Sequence, residues 1–532
     1  MNTARPLVFV LVLCNLVRAQ ERTPLRVGSI RIDRKEIFET EDSSAHNLFA
    51  VLVNKVHSTT NESIIRNELL FREGEVYDRL LIQESERNLR RMGIIGDIRI
   101  RTDSTLSAAA DVVVETHEKW TMGLGLSYKQ EGGVRSFSAS AGEDNFLGNA
   151  QKVALDYNYR SNRSNPNGME FRFREPRVFS SRWSSTLQYK NSEDLSIVTA
   201  LLEHPFFSED ASWSSGIYAD NGRVRRRLYR DGIQLSEEDV RVQGQSAWLV
   251  GSFGDQSKVR FGMGIRNSRS ASSGVTAERT DNLTLISISA GYVQRSWKKE
   301  VFVNSLERVE DVPLGFACGI VAGKNIARVD ARNTPYYVAS AGTAALEATD
   351  TWSVSPRISY EAYDVEGGPN ETTLEWGILG RSKYSQNKML VANVRAVLGS
   401  SWSPGRQLTL GSPTGLRGYP SFEFSGERTL LFNVEHRWTT DLKWWIFRFG
   451  GAVFLDCGTA WNERDDFSRQ RFHASTGLGL RIENIKQQGL GIIRIDLAFN
   501  ADRRRVSELI ITGSQSFDAF NNLEPPAPNP GR

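Results

Sequence analysis

Three ionisable residues in the last quarter of the chain could form a charged site. Arg417 lies in SPTGLRGYPSFEF (412–424), a loop-like stretch with glycines, prolines and three aromatic residues. Glu435 and Asp456 follow in two segments of alternating polarity. Two carboxylates could supply the acid and base of a glycosidase-type hydrolysis. Alternatively, one guanidinium could neutralise both, because its planar fork can bond two carboxylates at once.

The elements that carry these residues determine whether they can meet. The segments TLLFNVEHRW (429–438) and GAVFLDCGTA (451–460) alternate like strands, and a turn is expected near Trp444 and Trp445. In such a hairpin Glu435 and Asp456 would lie roughly opposite each other, which is unfavourable for like charges without a cation between them. Arg417 is a candidate for that cation if its loop folds back. The residues alone also allow an ordinary surface loop with a solvated arginine.

Charge balance and histidine spacing narrow the classes of function. The chain has 532 residues, of which 66 are basic and 63 acidic, so its formal net charge is +3. Nucleic acid is therefore not expected as a partner, since phosphate binding needs a concentrated basic face. The six histidines lack metal-ligand spacing, and no nucleophile elbow or phosphate loop is present. We expect no metal, no cofactor, no catalytic residue and no enzymatic activity.

Both ends of the chain have compositions typical of segments outside a folded domain. Residues 1–19 combine Arg5 with the apolar run from Leu7 to Cys14, which predicts a secretory signal peptide cleaved after Ala19. Residues 518–532 include LEPPAPNPGR, a proline-rich tail that we expect to be disordered. The remaining cysteines, Cys318 and Cys457, are too few for a disulfide scaffold, and the sequence leaves their pairing open.

Residues 25–118 are predicted to form a small α/β domain. The second of its two main helices is well delimited, with Asp78 as a good N-cap and Gly93 as a stop. A further short helix between 34 and 60 would align Leu48, Leu52 and Val56. The predicted strands are 25–33, 97–101 and 111–116, and the two main helices are 61–74 and 78–93.

Residues 119–517 alternate with the period of β-strands. In KVALDYNYR the apolar residues Val153, Leu155 and Tyr157 share one face. No run of about 18 apolar residues follows the signal peptide, so no membrane-spanning helix is expected. A closed barrel accommodates nearly 400 residues of strands without leaving edges, and it can cross a membrane. A soluble sandwich or solenoid is the alternative.

The barrel is expected to close between its first and last strands. We predict pairing of the segment Thr121 to Lys129 with the segment Glu508 to Phe517, where Phe517 ends the last strand. Glycines Gly123, Gly125 and Gly513 contribute no side-chain packing there, so this seam should open most easily.

Four motifs resemble those of the BamA superfamily of outer-membrane barrels, and they occur in the family's order. EDNFLGNA (143–150) resembles an early turn, and STGLGLRIE (475–483) resembles a late strand. LRGYP looks like the arginine-glycine-aromatic motif of the sixth extracellular loop, and FLDCG looks like the Phe-x-Asp-x-Gly strand motif. Residues 25–118 resemble a single polypeptide-transport-associated (POTRA) domain. The residues matched in the loop and strand motifs are Gly415, Leu416, Arg417, Gly418, Tyr419, Phe454, Asp456 and Gly458.

The resemblance implies a mostly β protein: a sixteen-stranded antiparallel transmembrane β-barrel preceded by a small α/β POTRA domain. Arg417 would enter the lumen and pair with Glu435 and Asp456 of strands 12 and 13. The sequence itself contains nearer twenty strand-like segments, with the surplus at 297–400. We follow the family's number, and we expect some of the surplus to form an outer loop or a periplasmic ribbon.

The resemblance also implies a function in the bacterial outer membrane, with the POTRA domain in the periplasm. The POTRA domain would capture unfolded outer-membrane proteins or secreted polypeptides, and the barrel would insert or translocate them through the strand 1/16 seam. Outer-membrane lipids and accessory lipoproteins would be further partners. The alternative is a passive pore or a secretion channel of the two-partner type. The basic stretch RVRRRLYRDG (223–232) is expected in an extracellular loop, either solvated or against lipid phosphates.

Overall fold

The N-terminal part of the structure is a small α/β unit. The computed structural model describes residues 25–37, 57–103, 109–131, 134–273, 278–327, 336–364, 370–402, 406–485 and 492–512. A three-stranded sheet has the order β1-β3-β2, with β3 parallel to β1 and antiparallel to β2. The elements of this unit are β1 (Arg26–Lys35), α1 (Glu62–Glu68), α2 (Arg79–Met92), β2 (Ile95–Asp103) and β3 (Ala109–Glu118).

Local capping explains the limits of the helices. The Asp78 side chain accepts a hydrogen bond from the Leu80 N–H at 2.7 Å, and Gly93 ends α2 with a φ of +81°. The predicted first helix is too long, because it ends at Glu68 instead of Gly74. The backbone beyond it runs along β1, where the Val27 N–H donates to the Glu75 carbonyl at 2.9 Å. The predicted helix with Leu48, Leu52 and Val56 lies outside the described residues.

The rest of the described chain forms one closed antiparallel barrel of 20 strands. Each strand pairs with its sequence neighbour, and the last pairs with the first. The strands are β4 (Met122–Glu131), β5 (Val134–Phe146), β6 (Gln151–Arg160), β7 (Asn167–Glu175), β8 (Ser184–Asn191), β9 (Leu195–His204), β10 (Trp213–Arg230), β11 (Ile233–Phe253), β12 (Ser257–Ser273), β13 (Glu278–Val301), β14 (Val309–Asn325), β15 (Tyr336–Glu347), β16 (Trp352–Tyr363), β17 (Glu371–Ser385), β18 (Lys388–Ser400), β21 (Arg428–Trp444), β22 (Phe447–Trp461), β23 (His473–Asn484), β24 (Ile492–Asn500) and β25 (Arg505–Thr512).

The expectation of sixteen strands is therefore wrong, and so is that of an outer loop or ribbon built from the surplus. The strands between residues 297 and 400 are all part of the wall, and each pairs with both of its neighbours. An alternating strand left out of the wall would expose unpaired backbone groups along its edge. Five strands of the wall, β21–β25, follow the 412–424 loop.

The two faces of the wall differ in polarity. Large apolar side chains point outward, such as Leu124 and Leu126, which are 69% and 71% exposed. The alternate positions point into the lumen and include the buried polar residues Asn433, Glu435 and Asp456. The barrel thus turns an apolar band to its surroundings and a polar face inward. Among the described residues no helix is long and apolar enough to cross a membrane.

The α/β unit packs against one end of the barrel, which we call the near end. The turn 146–151 meets it where the Asn61 N–H donates to the Gly148 carbonyl at 2.8 Å. The turn 176–183 contributes an ion pair between Arg177 and Glu68. Because the barrel has an even number of strands, the chain enters and leaves it at the near end. Cys318 and Cys457 lie in different strands, β14 and β22, and both are free thiols.

Candidate functional site: an ion cluster inside the barrel

The 401–427 segment joins β18 to β21 and folds from the far end into the lumen. It contains a short hairpin, β19 (Leu408–Leu410) and β20 (Phe424–Gly426), and the tip between them carries Arg417. Gly415 and Gly418 have φ angles of +109° and +82°, which side-chain-bearing residues rarely adopt. These two glycines turn the backbone on either side of Arg417, so that its side chain points into the barrel.

Arg417 is buried and bonded to three carboxylates. Its side chain is 5% exposed. It makes a bidentate contact with Asp456, with Nε 2.7 Å from Oδ2 and Nη2 2.9 Å from Oδ1. Its Nη1 lies 3.1 Å from Glu435 Oε2 and 3.1 Å from Asp496 Oδ2. The structure therefore brings Arg417, Glu435 and Asp456 together and adds a third acid, Asp496.

The register of the β21–β22 hairpin differs from the expected one. Glu435 is opposite Phe454, and Asp456 is opposite Asn433. The two carboxylates are thus diagonal neighbours on the lumen face, which lessens their repulsion and leaves space for the guanidinium. The Arg417 guanidinium carbon lies 3.4 Å from the centroid of the Phe454 ring, in a cation–π contact.

Four residues of this cluster were missed by the sequence reasoning: Asp496, Arg437, Arg481 and Arg494. Arg481 bonds both Glu435 at 3.0 Å and Asp496 at 2.6 Å. Arg437 adds a contact of 2.9 Å to Glu435, and Arg494 adds one of 3.2 Å to Asp496. The signal that could have identified them is strand parity, because all four occupy inward-facing positions of the strands that follow the loop.

The other residues of the loop motif anchor the tip. Leu416 is fully buried and packs against Leu431 and Tyr419. The Tyr419 hydroxyl oxygen lies 2.9 Å from both Asp502 Oδ2 and the Ala474 carbonyl oxygen, and its single hydrogen can be donated to either.

Gly418 ties the loop tip to the last two strands of the barrel. Its N–H donates to Glu508 of β25, and its carbonyl accepts from Asn500 Nδ2 at 2.8 Å and from Ser507 Oγ at 2.6 Å. The loop is therefore attached to the wall directly beside the barrel's closing seam.

The residues of the strand motif, Phe454, Asp456 and Gly458, lie next to the loop. Gly458 faces the loop, and a Cβ there would lie 3.0 Å from Leu410 Cδ2 and 3.0 Å from the Leu430 carbonyl oxygen. A side chain at this position would push against the β19–β20 hairpin. On one side of Asp456 the Phe454 ring therefore lies under the Arg417 guanidinium, and on the other side Gly458 leaves space for the Leu410 side chain.

The first and last strands of the barrel, β4 and β25, pair with each other and form its seam. Only four Cα pairs join β4 to β25 among the described residues, from Glu131–Glu508 to Tyr128–Ile511. Gly123 and Gly125 lie beyond these four pairs, and on their other side they pair with Gly142 and Ser140 of β5. The partners expected for the start of β4 would lie beyond Thr512, and Gly513 and Phe517 lie outside the described residues, so the rest of the expected pairing stays a prediction.

The arrangement suits a clamp better than a proton-transfer site. Glu435, Asp456 and Asp496 are fully buried, and each is bonded to at least one guanidinium. Carboxylates held in this way are stabilised as anions, whereas a general acid must be able to carry a proton. No group of His, Cys, Asp and Glu residues with metal-binding geometry occurs in the described part of the chain.

The basic stretch 223–232 is not a loop, contrary to expectation. Residues 213–230 form β10, which pairs with β11 up to the turn at 231–232. The tip of this hairpin reaches the lumen loop, where Tyr229 stacks on Phe422 with ring centroids 4.2 Å apart. Gln407 Nε2 also donates to the Tyr229 carbonyl at 2.9 Å. Hairpin and loop meet across the far end of the barrel.

Comparisons with known proteins give matches among solved structures. No family model matches the chain, and no curated protein matches it. BamA from Haemophilus ducreyi lacking POTRA domains 1–3 is 14% identical, with a TM-score of 0.39 over 91% of this chain and 84% of that one. CdiB from Acinetobacter baumannii is 11% identical, with a TM-score of 0.46 over 92% and 74% of the two chains. CdiB from Escherichia coli is also 11% identical, with a TM-score of 0.44 over 91% and 75%.

Proposed function

We propose that the chain is a bacterial outer-membrane barrel that captures unfolded outer-membrane proteins with its α/β unit and inserts or translocates them through the β4/β25 seam. The observation that carries this proposal is an open strand edge on the α/β unit, held at the near end of the barrel. The α/β unit would be a POTRA domain in the periplasm. Lipids and accessory lipoproteins would be partners, and no enzymatic step would be needed.

The outer face of the barrel supports a place in a membrane. Apolar side chains such as Phe261, Met263 and Leu478 point outward and are more than half exposed. Large apolar areas are rare on soluble monomers and are expected where a wall meets lipid. The hydrogen bonds of a closed barrel leave no backbone edge facing that lipid.

Among the described residues, only the β2 edge of the α/β sheet has no backbone partner on its outer side. The outer side of β1 is occupied by the chain's own backbone, because Val27 exchanges hydrogen bonds with Glu75 and Gly74. Further along β1, Glu73 Oε1 accepts from the Ile30 N–H at 2.9 Å. The strand β2 pairs only with β3 in the described chain, so its outer side can accept an extended polypeptide in β-augmentation.

The seam has features that favour lateral opening. Within the described residues its ladder has four pairs, fewer than the ladders of its neighbours β4–β5 and β24–β25. The loop tip lies next to it through the contact of Gly418 with Glu508, so the lumen site and the seam form one region.

A polypeptide secretion channel of the two-partner type is the second candidate. The number of strands favours it, because barrel diameter grows roughly linearly with strand number. A 20-stranded barrel is wide enough for an extended chain once the loop has left the lumen. A passive open pore is less well supported, since the 401–427 loop and the β10–β11 hairpin meet across the far end.

A pair of disulfide locks distinguishes these functions. In a Cys318→Ser, Cys457→Ser background, Tyr128→Cys with Ile511→Cys would lock the seam, because these residues are Cα partners. Tyr128→Cys with Phe137→Cys would lock the adjacent β4–β5 junction as the matched control. Cells depleted of the protein would be complemented with each variant, and their envelope proteome would be compared with and without reductant.

The proposal predicts loss of outer-membrane proteins only with the oxidised seam lock and recovery on reduction. If the seam lock leaves the envelope proteome normal but abolishes secretion of a polypeptide, the result would favour the secretion channel. Full activity of both locked proteins would exclude use of the seam, and clients would then have to pass through the lumen.

A further inference from the structure

A turn at the near end crosses the lumen. The segment Phe302–Arg308, which we call the inward turn, joins β13 to β14. Phe302 and Leu306 are each 2% exposed. They pack against side chains of three other strands, β17, β18 and β24, in a cluster with Leu379, Met389, Val391 and Ile492.

Polar contacts fix the inward turn to the opposite wall. Arg308 Nε lies 2.9 Å from Glu483 Oε1 of β23, and the Leu306 N–H donates to the same carboxylate. Glu307 adds ion pairs with Lys443 at 2.7 Å and Arg448 at 3.0 Å. A segment bonded to both sides of the barrel obstructs the near end of the lumen.

The helix α2 of the α/β unit holds both stems of the inward turn. On the β14 stem, Arg90 makes a bidentate ion pair with Asp311, at 2.7 and 3.1 Å. On the β13 stem, Lys299 Nζ lies 3.2 Å from Glu86 Oε2, and Arg87 sits over the Trp297 ring. Any displacement of α2 therefore pulls on the strands from which the inward turn projects.

The carboxylate of Glu86 also occupies the open edge of the α/β sheet. Its Oε1 accepts from the Ile100 N–H of β2 at 3.3 Å, while its Oε2 bonds Lys299. Backbone groups of successive strand residues alternate in direction, so Ile98 and Thr102 present their N–H and C=O groups on the same side as Ile100. An incoming strand cannot pair at Ile100 without displacing Glu86.

We propose that Glu86 couples the β2 edge to the inward turn, so that an extended polypeptide bound at β2 releases the turn. While the turn is seated, Glu86 blocks the centre of the edge. When a polypeptide strand takes the Ile100 N–H, the Glu86 side chain leaves and the Lys299 stem loses its partner. The inference rests on the proposed function, because it assumes client capture at β2, and it adds a mechanism by which capture opens the near end.

The experiment reports on the inward turn with a single thiol. Ser305 lies in the turn, is 2% exposed and is close in size to cysteine. Ser305→Cys would be placed in the full chain with Cys318→Ser and Cys457→Ser, and its reaction with a charged maleimide would be timed in detergent. The probe is a synthetic peptide of residues 492–500, IIRIDLAFN, which has the alternation of a barrel strand.

Glu86→Ala is compared with Glu73→Ala as the matched control. Glu73 also accepts from a strand N–H, that of Ile30, but this bond lies within the α/β unit and on the other edge of its sheet. We expect the peptide to accelerate labelling of Ser305→Cys by about fivefold or more, the range of ordinary allosteric coupling. Glu86→Ala should label fast without peptide and bind the peptide more tightly, since coupling is reciprocal. Glu73→Ala should leave the basal labelling rate unchanged.

Peptide binding that leaves labelling unchanged, or equal labelling of the Glu86→Ala and Glu73→Ala proteins, would overturn the coupling. If no variant binds the peptide, client capture at β2 fails, which is a failure of the proposed function. The labelling rates measured without peptide then test only whether Glu86 holds the inward turn. Faster labelling of Glu86→Ala supports its hold on the inward turn, and equal rates refute it.

Discussion

Removal of the Arg417 side chain should leave one uncompensated charge rather than three. In Arg417→Ala, Glu435 keeps its contacts with Arg437 and Arg481, at 2.9 and 3.0 Å. Asp496 keeps Arg481 and Arg494. Asp456 has no other cationic partner among the described residues and retains only two neutral donors, the Asn433 amide at 2.8 Å and the backbone N–H of residue 417 at 3.3 Å. The damage should therefore be concentrated on Asp456.

The magnitude follows from burial. Asp456 is fully buried, and breaking a buried pair by removing one partner costs about 3–5 kcal/mol. The barrel ladder does not depend on this contact, so the energy should appear as release of the loop rather than as loss of the barrel. Adding Asp456→Asn should recover most of the loss, because the amide removes the unpaired charge. Adding Glu435→Gln should not, because Glu435 keeps Arg437 and Arg481 as partners and its charge is not the one left unpaired.

Limited proteolysis of the 412–424 loop in detergent measures the release, and gel mobility with and without boiling reports on the barrel. We expect rapid cleavage in Arg417→Ala, slow cleavage in Arg417→Ala with Asp456→Asn, and a heat-modifiable barrel in both. Equal rescue by Asp456→Asn and Glu435→Gln would refute the argument that Asp456 alone loses its partner. Unchanged protection in Arg417→Ala would refute the clamp itself.

Two further predictions concern the ends of the barrel. Phe422→Ala removes the ring stack with Tyr229, which is worth about 0.5–1.5 kcal/mol. The ratio of open to closed time in single-channel recordings should therefore rise about two- to twelvefold, with the exposed Phe253→Ala as the control. Equal openings in both variants would contradict a closure by Tyr229 and Phe422. Burial lowers the pKa of Lys119 from 10.5 to about 8, so the folded protein binds fewer protons than the unfolded one between these values. As the pH rises from 8 to 10.5, the free energy of unfolding of the wild type should therefore increase relative to that of Lys119→Met, by at most about 3 kcal/mol. A difference between the two proteins that does not change with pH would contradict the lowered pKa of Lys119.

The sequence was informative where local chemistry decides the structure. Asp78 and Gly93 delimit α2 because capping depends on a few adjacent residues. Alternation identified the strands, and counting them came close to the observed 20. The prediction of sixteen strands was wrong because it replaced that count with the number of strands that the family resemblance implies. Nothing in a single strand fixes how many strands close a barrel, since closure depends on tilt and stagger around the whole wall.

The pairing register of the strands was the second feature that the sequence could not predict. The motifs indicated that Arg417, Glu435 and Asp456 share a site, but the pairing of Glu435 with Phe454 depends on the turn after Trp444, where the ladder shifts between Thr439 and Lys443. A shift of two residues keeps every side chain on its face and changes only its neighbours. Parity is therefore readable from sequence, whereas the identity of cross-strand partners is not.

The contacts of the 401–427 loop indicate that lumen closure and seam closure belong to one structural unit. Arg417 holds the tip to β21, β22 and β24, and Gly418 holds it to Glu508 of β25, the strand that closes the barrel on β4. A loop leaving the lumen must therefore release Glu508, a residue of the strand that closes the barrel. Conversely, separation of β25 from β4 would displace Glu508 and withdraw one anchor from the tip. Movement at either place would therefore remove a contact that holds the other, and under the proposed function the loop and the seam would open together for a client.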